Sequence, residues 1–102
     1  MQPSYSLVTI KRLVSEGKYL ITVSALETAA LMGFDDESIV ECIVDQLAET
    51  HFYKTMPSTS VPGLMQDVYK LSFEGWRVYL KLQINRSSNA VVISFKEDES
   101  VG

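Results

Sequence analysis

The sequence predicts an α+β fold, in which an antiparallel β-sheet meander carries N-terminal helices packed on one of its faces. Two observations predict it. Apolar residues recur every three or four positions through residues 7–47, as in amphipathic helices, and they alternate with polar residues from 66 to 84, as in half-buried strands. With 102 residues, 46% of them hydrophobic, and no internal repeat, we expect one domain spanning residues 1–102.

Three helices and one short strand are expected in the first half. The first helix should begin near Pro3, with Ser4 or Ser6 at its start, and Gly17 should follow its last turn as a C-cap. Its buried stripe is Leu7, Ile10, Leu13 and Val14. A strand-like segment follows at 19–23. The motif SALE then predicts a second helix, because Ser24 and Glu27 can form a capping box, and Gly33 should end it.

The third helix should be capped by Asp35 or Asp36. Its buried stripe is expected to contain Ile39, Val40, Ile43, Val44 and Leu47. The opposite side is acidic and consists of Glu37, Glu41, Asp45 and Glu49. Such a side is most simply a solvated helix face, although it could also dock a basic partner.

The second half should form three or four strands joined by short connections. FYKTM at 52–56 is a candidate strand, and the loop PSTSVPG follows it. The segments QDVYKLSF and WRVYLKLQI flank the dipeptide Glu74-Gly75, which predicts a hairpin. A turn in INRSSNA then leads to the last strand, AVVISFK. Consecutive strands with such short connections form an antiparallel meander.

Side-chain alternation assigns the strand residues to the core or to an open face. The residues expected to face the helices are Tyr69, Leu71, Phe73, Val78, Leu80, Leu82, Val91, Ile93 and Phe95. Those expected on the open face are Gln66, Lys70, Ser72, Arg77, Tyr79, Lys81, Gln83, Ser94 and Lys96. The alternation does not decide the side on which Lys54 lies.

The charge of the chain is unevenly distributed. The net charge of −4 and the pI near 4.8 argue against binding to a polyanion. Residues 50–96, however, hold six Lys and Arg against two acidic residues, whereas residues 1–49 hold three against eight. The open face is therefore cationic and suited to a phosphate backbone and a stacked base. An ordinary solvated sheet face would have the same composition, so both interpretations stay open.

Other catalytic chemistries have little support. Because Cys42 is the single cysteine, the chain cannot form an internal disulfide. Cys42 fits a half-buried position on a helix. Together, Cys42 and His51 supply too few ligands for a zinc site. His51 should interact with a helix end, although its closeness to Lys54 keeps a catalytic role open.

No apolar run reaches the roughly 18 residues of a membrane span, and basic residues follow the first apolar segment, unlike in a secretory signal. We therefore expect a cytoplasmic protein without membrane contact.

Four segments of the second half follow one another as in a known protein family. They are FYKTM, MQDVYK, VYLKL and VVISFKED, and IKRLV, SAL and LMGFDDESIVECIV extend the similarity into the first half. Through them the chain resembles the MqsR toxins (motility quorum-sensing regulators), mRNA interferases of type II toxin–antitoxin systems. The resemblance covers nearly the whole chain. It implies a RelE-like fold, which agrees with the α+β class that the periodicity predicts.

The resemblance also implies an activity and a partner. Such a toxin would cleave mRNA, with a preference for GC-containing sites. Its cognate antitoxin, similar to MqsA, would combine a zinc-binding domain with a helix-turn-helix domain, so the toxin would reach operator DNA only indirectly. The implied active-site residues are Lys54, Gln66, Tyr79 and Lys96. Residues expected to bind RNA are Lys70, Arg77 and Lys81.

The residues available to the site predict a chemistry that needs neither metal nor cofactor. The RNA 2′-hydroxyl would attack the adjacent phosphate, and the 5′-oxygen would leave. Lys54 or Tyr79 would act as base or acid, Lys96 and Lys81 would stabilise the phosphate charge, and Gln66 would orient the phosphate or a base edge. A second class of function stays open, a non-catalytic or attenuated RelE-like module whose main role is antitoxin and RNA binding and transcriptional autoregulation. The acidic net charge favours it, whereas the presence of all four implied active-site residues argues against it.

Overall fold

The computed structural model describes residues 1–100 and confirms the α+β class. A short strand lies between the first two of three α-helices, and four longer strands follow. The bounds are α1 Leu7–Ser15, β1 Tyr19–Ile21, α2 Val23–Leu31, α3 Asp36–Glu41, β2 Phe52–Pro57, β3 Met65–Phe73, β4 Trp76–Ile84 and β5 Ala90–Glu97. A π-helical turn, Cys42–Gln46, extends α3, and a 3-10 turn, Glu49–His51, leads into β2.

Polar side chains fix the beginnings of α1 and α3 as predicted. The Ser6 hydroxyl accepts a hydrogen bond from the Thr9 N–H at 3.4 Å. At α3, Asp35 Oδ1 accepts from the Ser38 N–H at 3.0 Å, while the Ser38 hydroxyl accepts from the Asp35 N–H at 3.4 Å. The acidic side chains on the far side of α3 and of the turns after it are exposed, which agrees with a solvated face; they are Glu37, Glu41, Asp45 and Glu49.

The beginning of α2 differs from the predicted capping box at Ser24 and Glu27. The capping residue is Thr22, whose hydroxyl accepts a hydrogen bond from the Ala25 N–H at 3.0 Å. The same hydroxyl donates to the carbonyl of Ile93 in β5, also at 3.0 Å. A local cap at Thr22 therefore begins this helix, and a second bond to a strand that is distant in sequence holds the capping hydroxyl in place; only the second bond lies beyond what local sequence shows.

The strand order in the sheet is β1-β5-β4-β3-β2. Strands β2 to β5 form the predicted antiparallel meander. Strand β1 extends the sheet beyond β5 and runs parallel to it, with Tyr19 opposite Ala90. The sheet is therefore mixed, and the predicted strand at 19–23 is shorter because Thr22 already caps α2.

The β3–β4 hairpin has the predicted two-residue turn. Both central residues have positive φ, 51° at Glu74 and 82° at Gly75. This is the backbone pattern of a type I′ turn, whose twist matches that of the flanking strands. The turn fixes the register in which Ser72 lies opposite Arg77 and Lys70 opposite Tyr79.

A β-bulge interrupts the pairing of β4 with β5. The register passes from Lys81–Ser94 to Leu82–Val92, which leaves Ile93 without a partner. A bulge of this kind adds one residue to one strand and changes the phase of its side-chain alternation. In β5, the even-numbered residues Ala90 and Val92 therefore face the core before Ile93, whereas the odd-numbered Phe95 faces it after Ile93.

The bulge corrects part of the predicted face assignment. Ala90 and Val92 lie in the core, whereas Val91, which was expected to face inward, lies opposite the outer residue Gln83. The expected inward position of Ile93 is also wrong. Phe95 lies beyond the bulge and faces the core as predicted.

The core lies between the helices and the inner face of the sheet. The remaining inward predictions are confirmed, because the core includes Tyr69, Leu71, Phe73, Val78, Leu80 and Leu82. The helices contribute Ile10, Ala29, Ile39 and Ile43, which are fully buried. None of the helices in residues 1–100 combines the length and the apolarity needed to cross a bilayer.

One carboxylate belongs to the core side and ties the N-terminal segment to the sheet. Asp67 is fully buried, and its two oxygens accept the N–H groups of Ser4 and Tyr5, each at 2.9 Å. The Tyr5 hydroxyl donates to the carbonyl of Met65 at 2.6 Å. Asp67 therefore has a structural role, although it is the sequence neighbour of the candidate site residue Gln66.

Candidate active site

The outer face of the sheet, turned away from the helices, carries a row of aligned residues that we call the lysine row. It consists of Lys54, Val68, Lys81 and Ser94, which lie opposite one another across β2 to β5. Val68 is fully buried, so longer side chains of this face cover it. Neighbouring strands are about 4.7–4.9 Å apart. The long side chains of Lys54 and Lys81 therefore flank one small residue.

A second bulge places Lys54 on this face. The register of β2 with β3 passes from Phe52–Tyr69 to Lys54–Val68, so Tyr53 is an extra residue. Phe52 packs against the core residue Tyr69, with ring centroids 5.7 Å apart. Alternation in the sequence did not decide the side of the sheet on which Lys54 lies. Because it lies opposite Val68 of the lysine row, Lys54 is on the outer face.

Tyr79 lies next to the lysine row and opposite Lys96. The Nζ atoms of Lys96 and Lys81 are 5.0 and 5.9 Å from the centroid of its ring, within the range of cation–π attraction. Partial burial raises the pKa of the Tyr79 hydroxyl, and the nearby Tyr53 and Asp98 raise it further. The phenol is therefore protonated at neutral pH and can donate a proton.

Lys81 is half-buried between other cations. Partial burial lowers the pKa of its amine, and the positive charges of Lys96 and Lys54 lower it further. Both effects oppose the charged form of the group. The neutral amine, which can accept a proton, is therefore more accessible near neutral pH than it is for a solvated lysine.

Gln66 lies one row beyond the lysine row, in a buried amide pair. Its Nε2 donates to Oε1 of Gln83 at 3.4 Å. The two residues are only 9% and 6% exposed. Gln83 was expected on this face and lies there, but its pairing with Gln66 depends on strand register and was not predictable. The pair restricts the orientation of the Gln66 amide.

Tyr53 is a residue of this face that sequence reasoning missed. The Nζ atom of Lys70 is 4.0 Å from the centroid of its ring, and that of Lys54 is 5.7 Å away. Tyr53 is 55% exposed, which leaves much of the side chain available to a ligand. Its position in the segment FYK was the available signal, but ordinary alternation would have turned it away from Lys54.

Asp98 is the second residue that sequence reasoning missed. Its Oδ1 is 3.6 Å from the Lys70 Nζ atom, and its N–H donates to the carbonyl of Arg77 at 2.7 Å. Hydrogen bonds from Ser100, together with the positive charges of Lys70 and Arg77, lower the pKa of this carboxyl. The acidic segment after Lys96 therefore places a carboxylate on the cationic face.

The predicted site residues are thus brought together to different degrees. The side chains of Lys54, Tyr79, Lys81 and Lys96 form one cluster, with Gln66 at its edge. Lys70 is engaged by Asp98, and Arg77 lies exposed toward the hairpin turn. Tyr79 and Lys96 also line a cleft of about 440 Å³ that extends toward Trp76. Such a volume lies within the range of small-ligand sites.

The cysteine and the histidine lie outside this cluster. Cys42 is fully buried rather than half-buried, and burial raises the pKa of its thiol to about 12. His51 Nδ1 accepts the N–H of Ala48 at 3.0 Å, which caps the 3-10 turn. Within residues 1–100, no group of three or more His, Cys, Asp or Glu side chains is arranged so that it could hold a metal ion.

Comparison with known proteins gives two findings. The family model described as "Motility quorum-sensing regulator, toxin of MqsA" matches residues 2–97. Over 95 residues the chain is 35% identical to the mRNA interferase toxin MqsR of Escherichia coli (strain K12), an alignment that covers 93% of this chain and 94% of that protein. The family match and the relative both extend over nearly the whole chain, and the chain therefore belongs to the MqsR toxin family.

Proposed function

We propose that this protein is a toxin of the mRNA interferase type, an endoribonuclease that cleaves messenger RNA. The observation that carries the proposal is the cluster of Lys54, Tyr79, Lys81 and Lys96 on the outer face, within a chain of this family. The similar Escherichia coli protein is named an mRNA interferase toxin. A face with several cations, a phenol and a buried amide offers groups for binding phosphate and for moving protons.

The proposed reaction is transesterification without a metal ion. The 2′-hydroxyl of one nucleotide attacks the neighbouring phosphate, and negative charge develops on the phosphorane oxygens. Lys54 and Lys96 would stabilise that charge from the two sides of the cluster. The Tyr79 hydroxyl would give its proton to the departing 5′-oxygen, in keeping with its raised pKa.

The remaining residues of the outer face would hold the substrate. Gln66, whose amide is fixed by Gln83, would orient the phosphate or the edge of a base. Tyr53 is exposed and offers a ring for stacking, a common mode of contact with single-stranded RNA. Lys70 and Arg77 would follow the backbone beyond the cleavage point. We further propose that cleavage prefers GC-containing sites.

A cognate antitoxin would keep such an enzyme harmless in the cytoplasm, where mRNA is translated. We propose that it is an MqsA-like protein with a zinc-binding domain and a helix-turn-helix domain. In that arrangement the toxin would approach operator DNA only through its antitoxin. Expression of the toxin without the antitoxin should arrest growth, and co-expression should restore it.

The direct test is cleavage of a defined RNA by the purified protein in excess chelator. We expect activity to persist, and the products to end in a 2′,3′-cyclic phosphate or the 3′-phosphate formed when it opens. The same sequence as DNA lacks the 2′-hydroxyl and should stay intact. A strict need for Mg²⁺, or equal cleavage of DNA, would contradict the proposed reaction.

One observation favours a second candidate, an attenuated module that mainly binds the antitoxin and RNA. Asp98 places a carboxylate beside Lys70 on the surface that RNA would use. Like charges repel, so this carboxylate weakens phosphate binding. Normal growth during expression without antitoxin, combined with intact RNA in the cleavage assay, would favour this candidate.

A further inference from the structure

Three lysines of the outer face, Lys54, Lys81 and Lys96, make no ion pair within the described residues 1–100. Lys81 is the middle one. It shares the lysine row with Lys54, across Val68, and it lies diagonally from Lys96 on β5. Unlike the exposed Lys96, it is half-buried. The charged form of Lys81 is therefore repelled by the ammonium groups of Lys54 and Lys96, and its partial burial reduces its hydration.

The charged and titratable groups around Lys81 come from every strand packed against it. Lys54 faces it from β2, Lys70 from β3 and Lys96 from β5, while Tyr79 precedes it on its own strand. The nearest acidic groups belong to the segment that follows Lys96: Asp98 pairs with Lys70, and Glu97, Asp98 and Glu99 line the cleft that Tyr79 and Lys96 also line. Lys81 has no ion pair within residues 1–100, and burial and the ammonium groups of Lys96 and Lys54 disfavour its charged form. The Tyr79 ring favours that form only weakly, because its centroid is 5.9 Å from the Lys81 Nζ atom.

We propose that Lys81 is the general base of the reaction, the group that takes the proton from the attacking 2′-hydroxyl. The assignment rests on the proposed ribonuclease function. It gives Lys81 a catalytic role where the sequence predicted phosphate binding. The effect of its surroundings on the pKa of its amine has the direction that a base requires.

In this step the neutral Nζ atom of Lys81 accepts the 2′-hydroxyl proton while O2′ forms a bond to phosphorus. The bond between phosphorus and O5′ breaks, and O5′ receives the proton of the Tyr79 hydroxyl. The products are a 2′,3′-cyclic phosphate and a 5′-hydroxyl. Proton exchange with solvent then returns Lys81 to the amine and Tyr79 to the phenol.

The first test replaces Lys81 by arginine, which keeps the positive charge but cannot be deprotonated in a protein. We expect Lys81→Arg to lower the single-turnover cleavage rate by about 10²–10⁴-fold with RNA affinity little changed. Lys18→Arg, an exposed site before β1, is the matched control and should cleave at the wild-type rate. A Lys81→Arg variant with the wild-type rate would show that only the charge is needed and would overturn the assignment.

The second test separates a base from an acid. In a substrate whose 5′-oxygen at the cleavage point is replaced by sulfur, the leaving group departs without a proton. Tyr79→Phe should recover most of its lost rate on this substrate, whereas Lys81→Ala should recover little, because the 2′-hydroxyl proton must still be removed. Recovery by Lys81→Ala would identify Lys81 as a proton donor and would refute the proposal.

The third test covers the case in which arginine disturbs the fold. Lys81→Cys, alkylated with bromoethylamine, regains an amine of nearly lysine length that is less basic than lysine. Alkylation should be selective, since Cys42 is fully buried, and treated wild-type protein is the control. Cleavage should return and the acidic limb of the pH–rate profile should move to lower pH. An unmoved limb would overturn the assignment, and a wild-type protein that cleaves nothing would overturn the proposed function itself.

Discussion

On the inner side of β4, Val78, Leu80 and Leu82 are fully buried in the core. On the outer side of the same strand, Tyr79 and Lys81 are half-buried among cations and keep contact with solvent. Alternate residues of one strand thus meet two different environments less than a nanometre apart. From this difference we expect that substitutions at adjacent positions of β4 alter stability and catalysis separately.

The largest expected effect is on the outer side. Tyr79→Phe removes only the hydroxyl, which leaves the ring contacts with Lys81 and Lys96 in place. We expect single-turnover cleavage to fall by about 10²–10⁴-fold, as is usual when one proton-transfer group is lost. The free energy of unfolding should change by no more than about 0.5 kcal/mol. Paired measurements of cleavage rate and thermal midpoint test both statements.

Unfolding of Tyr79→Phe, or cleavage at the wild-type rate, would contradict the assignment of Tyr79. Lys96→Ala provides an independent check on the neighbouring strand. It should lower the rate through lost stabilisation of phosphate charge, again with little effect on the thermal midpoint, because Lys96 is exposed.

Leu80→Ala should produce the opposite result on the inner side of the same strand. Leu80 is fully buried, so truncation leaves a cavity in the core and should cost about 2–5 kcal/mol of unfolding free energy. Chemical denaturation measures this loss. The cleavage rate per folded molecule should stay near the wild-type value at a temperature where the variant is folded. A large rate defect in the folded variant would show that the two faces are coupled.

The dipeptide Gln66-Asp67 offers the same contrast in two adjacent residues of β3. Asp67→Asn keeps the size of the side chain but cannot accept both the Ser4 and Tyr5 N–H groups. We expect a loss of about 1–3 kcal/mol in unfolding free energy, the cost of a buried unpaired donor. Cleavage by the folded protein should be nearly unchanged.

Gln66→Ala is the matched substitution on the outer side. It should lower the cleavage rate more than it lowers stability, because the partner of the Gln66 amide within residues 1–100 is another side chain of the same face, that of Gln83 at the edge of the cluster. If Asp67→Asn lowered the rate while Gln66→Ala lowered only stability, the two sides of β3 would have been assigned the wrong way round.

The smallest effect is expected at Asp98. Asp98→Asn releases Lys70 from its ion pair and should tighten RNA binding severalfold. The dependence of log K on log salt should steepen by about 0.7, the value for one added phosphate contact on a single strand. Glu37→Gln removes the same charge from the exposed side of α3, away from the cationic face, so it should leave the slope unchanged. Equal slopes for the two variants would mean that overall charge, rather than Lys70, controls binding.

Much of the fold followed from local pattern. The alternation from Tyr69 to Leu82 placed the core residues correctly, because a tight turn with Gly75 holds two regular strands in register. The buried apolar residues of α1 and α3 were likewise predicted from their helical spacing, for example Ile10 and Ile39. These predictions succeeded in segments where the periodicity of a regular helix or strand is uninterrupted.

The failures lie where geometry depends on distant residues. Thr22 rather than Ser24 caps α2, and its hydroxyl is also held by the carbonyl of Ile93, 71 positions away. The positions of Lys54 and Val91 depend on bulges, and a bulge adds a residue without a distinctive composition. The ion pair between Lys70 and Asp98 requires knowledge of where the chain goes after β5. In each case, the missing information was three-dimensional.

The bulge at Ile93 has a consequence for insertions and deletions in relatives of this protein. Losing that residue would make the pairing regular, with Ser94 still opposite Lys81 and Val92 still opposite Leu82, so the core residues of β5 would keep their side. It would remove the carbonyl that accepts the Thr22 hydroxyl, and with it one bond between α2 and β5. Losing any other residue of β5 would instead turn part of the strand over, so a gap in this strand of a relative is best placed at Ile93.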